Sequence, residues 1–167
     1  MNMNLSPVFI QRFHNRIERV LHIKGNFTGP VLEMTVIVDH SLPAGSVQEG
    51  VPALLRCLKQ HSEVFRNVRL NITDWSGDGK IQNSVVPMMT VLVSGFFEAY
   101  EQICCEKKTE VLYQYLKLYH ARSKLILLVT DGCHHTEDEK AAQEALKPFL
   151  GKKLVQILVR ENGMELG

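Results

Sequence analysis

The sequence predicts a mixed α/β domain: three layers, α/β/α, around a mostly parallel central sheet with one antiparallel edge strand. Three observations carry this. Short runs rich in apolar and β-branched residues alternate along the chain with longer segments of helical periodicity. Such alternation folds through right-handed crossovers into a parallel sheet covered on both faces. Two of the runs, Val31–Val38 and Leu125–Thr130, are almost continuously apolar, as strands buried on both sides are. Both stop at an aspartate, Asp39 and Asp131. A carboxylate at the C-terminal mouth of a buried strand does little for stability, but that mouth is where open α/β sheets hold ligands.

The bulk numbers fit one domain. At 167 residues, 45% hydrophobic and 22% charged, the chain is long enough for a sizeable core and too apolar to be disordered. One domain over 1–167 is expected, with its core at about 31–160 and an N-terminal helix at about 7–22 packed on it. A net charge of +1 gives no field for a polyanion, so no nucleic-acid partner is expected. No apolar run approaches the ~20 residues of a membrane span. Arginines and a glutamate interrupt what would be the apolar part of a signal peptide. No membrane association and a cytoplasmic location follow as expectations. The four cysteines, Cys57, Cys104, Cys105 and Cys133, do not form a disulfide framework.

Taken in order, Ser6-Pro7 reads as a helix cap and first helical residue. Phe9 or Ile10, then Phe13, Ile17, Val20 and Leu21, mark the buried face, while Arg12, Arg16 and Arg19 point elsewhere. Gly25–Pro30 is a turn before the first strand, Val31–Val38. A Pro43–Gly45 turn leads to a helix from about Val47 to Phe65. The second strand is Val68–Thr73, followed by Asp74-Trp75 and a turn at Ser76–Gly79. Lys80–Val93 holds strand-like pieces around Pro87. The short turn favours an antiparallel hairpin and the proline an edge position. Helices are expected over Phe96–Lys107 and from Thr109, the latter with Leu112, Tyr115, Leu116 and Tyr119 on one face. After Leu125–Thr130, Thr136 and Glu139 form a capping box. The helix they open carries Ala141, Ala142, Ala145, Leu146 and Phe149, and Pro148 ends or distorts it. Leu154–Val159 is the last expected strand, and the tail ENGMELG reads as frayed.

An apolar strand ending Asp39-x-Ser41, a helix, a hairpin, a helical stretch and a strand ending Thr130-Asp131-Gly132 resemble the von Willebrand factor type A family. The likeness covers roughly Val31 to Val159. It implies that the first strand lies beside the one ending Thr-Asp-Gly, so that Asp39 and Asp131 face one crevice. It also implies the family's metal-ion-dependent adhesion site, a magnesium or manganese ion with one position open to a partner protein's carboxylate. Carried over, Asp39, Ser41 and Asp131 match that site. Its third position is Pro43, which has no oxygen ligand, and Ser46 is close but out of register. The expected threonine falls at Phe96, where Ser94 substitutes only with a backbone shift. The resemblance thus implies a protein-interaction module with a weak divalent site. No helix is evident after Val159, and the N-terminal helix is expected to cover that face.

Other constellations are weaker. Cys133-His134-His135 offers thiolate and imidazole to zinc, but adjacent side chains point apart. A metal-dependent hydrolase or phosphoacceptor using Asp39 and Asp131 is the alternative function. Against it, the first strand lacks the acidic pair of a receiver and the D-x-D of a phosphatase. Glycine-rich nucleotide loops are absent as well.

Overall fold

A computed structural model of the chain describes residues 5–21, 33–39, 42, 44–58, 68–75, 82–87, 109–131, 139–149, 153–160 and 163–167. The first helix, α1 (Pro7–Leu21), starts as its sequence requires. The Ser6 hydroxyl accepts a hydrogen bond from the Phe9 amide at 3.1 Å, satisfying a donor that the helix itself leaves open. Phe9, Phe13 and Ile17 are buried, and the Phe9 and Phe13 rings stack with centroids 5.8 Å apart. Each large apolar side chain so buried stabilises the fold by roughly 1.5–3 kcal/mol. The helix packs against the last strand and against α2.

The first strand, β1 (Glu33–Asp39), is followed by α2 (Ala44–Leu58). The turn between them comes earlier than its Pro-Ala-Gly sequence implies. The Leu42 amide donates to the Asp39 carbonyl at 3.0 Å and Leu42 is buried, so the chain has already turned when α2 begins, and Gly45 lies inside the helix. The expected extension of this helix to Phe65 lies outside the described residues. So do the expected turns at Gly25–Pro30 and Ser76–Gly79, the Phe96–Lys107 helix and the start of the capping box at Thr136.

Next come β2 (Arg69–Trp75) and β3 (Gln82–Pro87). They pair antiparallel, with Arg69 opposite Pro87, and β3 is an edge strand. Pro87 is its last residue, where a missing amide donor does least harm. Then follow α3 (Thr109–Arg122), β4 (Leu125–Thr130), α4 (Glu139–Leu146) and β5 (Leu154–Arg160). A turn with the Phe149 amide bonded to the Leu146 carbonyl at 3.0 Å closes α4 around Pro148.

The reading of the tail as frayed is corrected. Gly163–Leu166 forms β6, antiparallel to β5, with Arg160 opposite Gly163 and Ile157 opposite Leu166. Gly163 has φ near 155°, a conformation L side chains rarely adopt, so a glycine is needed where the strand begins. The sheet therefore carries an antiparallel strand at both edges, rather than one.

The six strands run in the order β3-β2-β1-β4-β5-β6, and β1, β2, β4 and β5 are parallel. Alternation splits their side chains between two cores. In the first, Met34, Val36, Val38, Leu125, Leu127, Val129, Val155 and Ile157 cluster with Phe13 and Ile17 of α1 and Val51, Leu54, Leu55 and Leu58 of α2. In the second, Ile37, Trp75, Ile126, Leu128 and Leu154 cluster with Leu112, Tyr115, Leu116 and Tyr119 of α3 and with Leu146 and Phe149.

Candidate functional site

Strand order fixes where a site can form. From β1 the chain crosses to β2 on one side, and from β4 it crosses to β5 on the other. The neighbours β1 and β4 flank the point where the direction of winding reverses, and a crevice opens beyond their C-terminal ends at such a point. Asp39 is the last residue of β1, and Asp131 directly follows β4. The register ends at Val38 opposite Val129. One step further, Asp39 lies beside Thr130, and Asp131 one residue beyond.

Asp39 is 0% exposed. Its Oδ2 accepts a hydrogen bond from the Thr130 hydroxyl at 3.0 Å, and Thr130 is buried too. A buried carboxylate needs such partners, because burial strips it of water. The bond joins the C-terminal ends of the two strands and fixes one oxygen of the carboxylate. Asp131 is half-buried. Its carbonyl accepts a hydrogen bond from Arg160 Nη1 at 2.7 Å, which ties the exit of β4 to the end of β5. Arg160 Nε also lies 3.5 Å from Glu165 Oε2 on β6. That pair is largely exposed and contributes at most about 1 kcal/mol. On the other flank, Asp39 is in register with Trp75, the buried last residue of β2.

Of the residues singled out in the sequence, the structure brings Asp39 and Asp131 to the ends of neighbouring strands. Ser46 lies in the first turn of α2. Ser41, Pro43, Ser94, Phe96, Cys133, His134 and His135 lie outside the described residues. Among the described residues no group of three or more histidine, cysteine or acidic side chains is placed to hold a metal ion. The oxygens that do converge, from Asp39 and Thr130, are hard donors of the kind magnesium and manganese take. The sequence reading gave Thr130 and Arg160 no role. For Thr130 the signal was present: it is the one hydroxyl in an otherwise apolar strand, LILLVT, next to an aspartate.

A second polar group lies deeper on the same sheet face. The Thr35 and Ser123 hydroxyls are 2.7 Å apart, and Asn71 Nδ2 donates to Thr35 Oγ1 at 3.4 Å. All three residues are buried, and among the described residues Asn71 Oδ1 has no hydrogen-bond partner. This group links β2 and β1 to the entry of β4 at mid-sheet, away from the crevice. It reads as a structural device, not as part of the site.

No family model, no curated protein and no solved structure matches this chain.

Proposed function

We propose that this chain is a non-enzymatic protein-interaction module with a three-layer, von Willebrand factor A-like fold, binding its partner through the C-terminal edge of the sheet. The observation that carries the reading is the placement of Asp39 and Asp131 at the ends of the adjacent strands β1 and β4, where the winding reverses. The separate cores on the two sheet faces support the three layers. Oxygen donors at that edge support a divalent ion, magnesium or manganese, held by Asp39, Ser41 and Asp131 with water completing the shell. Its affinity is low, because Pro43 supplies no oxygen where the family has a serine. Asp39 is buried and Asp131 half-buried, so Asp131 is the ligand a partner would approach first.

Calorimetric titration of the chelator-treated protein with magnesium and with manganese tests this reading. Saturable binding, lost in both Asp39→Ala and Asp131→Ala while each variant still melts cooperatively, is the expected result. Binding indifferent to both substitutions would remove the proposed ligands. Zinc binding that survives Asp39→Ala and Asp131→Ala but not His134→Ala would move the site to the Cys133–His135 stretch.

A further inference from the structure

We propose that the outward face of α1 is a docking surface for an acidic protein segment, separate from the crevice between β1 and β4. The face is defined by what lies opposite it. Phe9, Phe13 and Ile17 are buried. At 100° per residue, Val8, Arg12, Asn15 and Arg19 fall in a line on the far side, with Arg16 beside them. Val8 is 62% exposed, Arg12 and Arg19 are exposed, and Arg16 is half-buried. The line runs about 16 Å from Val8 to Arg19 at 1.5 Å per residue.

The charges on this line are not arranged for the helix's own benefit. Arg12 and Arg16 are four residues apart, and Arg16 and Arg19 three apart. These are the spacings at which like charges on a helix repel. Arg19 in the last turn gains from the helix dipole, but Arg12 and Arg16 do not. Glu18 is the only acid in α1, and its neighbours at three and four residues are Asn15 and His14, not an arginine. No hydrogen bond or ion pair engages Arg12, Arg16 or Arg19 among the described residues. On α4, by contrast, Glu139, Lys140 and Glu144 mix the two signs. A local charge conflict with no internal compensation marks a surface shaped for something outside the chain.

The chemistry selects the occupant. Guanidinium groups pair carboxylates through two parallel hydrogen bonds, and a row of them matches acids repeated at helical spacing. The exposed Val8 adds one apolar contact at the end of the row. A membrane is the poorer fit. The apolar residues that would insert, Phe13 and Ile17, are spent in the core at 0% exposure, and three cations without insertion hold a bilayer only marginally. A nucleic acid is poorer still, for a chain of net charge +1.

The test uses the full chain and a fluorescent synthetic helical peptide with glutamates at i, i+4 and i+7 and a leucine one turn before the first. Saturable binding that weakens as salt rises is expected. The triple variant Arg12→Glu, Arg16→Glu, Arg19→Glu should lose at least about tenfold in affinity, a difference of 1.4 kcal/mol. Reversal of the exposed Lys117 and Lys140 on α3 and α4 should change it by less than about twofold. The triple variant keeps three like charges at the same spacing and sets Glu against the C-terminal end of the helix dipole, so it should melt slightly lower than the parent but still cooperatively. If it fails to fold, Arg12→Gln with Arg16→Gln replaces it. An equal loss on reversing the control lysines would overturn the proposal. So would binding to vesicles rich in phosphatidylserine but not to the peptide, or a dimer of this chain that the triple variant abolishes.

Discussion

The two faces of the sheet are built differently. On the face toward α1 and α2, every buried strand residue in the core cluster is apolar. On the other face Thr35, Asp39, Asn71, Thr73 and Thr130 are all buried, interleaved with Ile37, Trp75, Ile126 and Leu128. The contrast separates two tasks. Apolar strands pack nearly as well after a slip of two residues, because such a slip keeps each side chain on its own face. Met34, Val36 and Val38 would meet Leu127 and Val129 about as readily in the shifted alignment. A hydrogen bond from Thr130 to Asp39, or from Asn71 to Thr35, survives in one register only. The first face thus packs without polar partners, and the second adds the hydrogen bonds that align Asp39 with Thr130 at the strand ends.

The largest effect belongs to the apolar face. Leu127→Ala should cost about 2–5 kcal/mol in urea unfolding, since Leu127 is buried within the core cluster and its loss opens a cavity there. A loss well under 1 kcal/mol would mean that this core is loosely packed and the contrast overstated. Next comes the strand-end bond. Asp39→Ala removes the carboxylate that accepts from the Thr130 hydroxyl at the buried strand end and should cost about 1–3 kcal/mol. A double-mutant cycle of Asp39→Ala with Thr130→Val should return a coupling on the order of 1 kcal/mol, and zero coupling would break the pairing.

Smaller still is Asn71→Leu. Among the described residues Asn71 Oδ1 is buried without a partner and the Asn71 Nδ2 bond to Thr35 is long, so replacing the amide should change stability by less than about 1 kcal/mol in either direction. A cost of several kcal/mol would make the mid-sheet group a tighter network than its distances imply. The smallest effect is in alkali. Burial pushes the Cys57 thiol, which lies in the apolar core, above its ordinary range. Its contribution is intact below about pH 8.5, where an unfolded cysteine titrates, and is lost as pH rises through the higher folded value. The stability gap between the parent and Cys57→Ala should therefore narrow between pH 8 and pH 10. A gap that stays constant would show the thiol to be less shielded than its burial indicates.

Much of this architecture was legible in the chain. Ser6-Pro7 marked the start of α1, the Leu125–Thr130 run marked β4, the short connection after β2 marked an antiparallel hairpin, and Pro87 marked an edge or a break, because each signal is local. The second antiparallel edge was not legible. Four residues, Gly-Met-Glu-Leu, are too few to show a period, and only their pairing with β5 makes them a strand. The turn after β1 was misplaced because Pro43 and Gly45 are strong turn residues, while the feature that decides, the burial of Leu42, is tertiary. The position of Asp39 and Asp131 at the ends of their strands could be read from the sequence. The tether from Arg160 to the Asp131 carbonyl could not, since it joins residues that only the sheet order brings together.

The contact of α1 with β6 joins the first and last described elements of the fold. Phe13 and Met164 share one core cluster although roughly 150 residues separate them, and the entropy of closing a loop grows with its length. Only two residues separate β5 from β6, so that pair closes at little entropic cost, and the long closure falls on α1, which docks onto an edge already formed. In hydrogen exchange the amides of α1 should open at a lower free energy than those of β1 and β4.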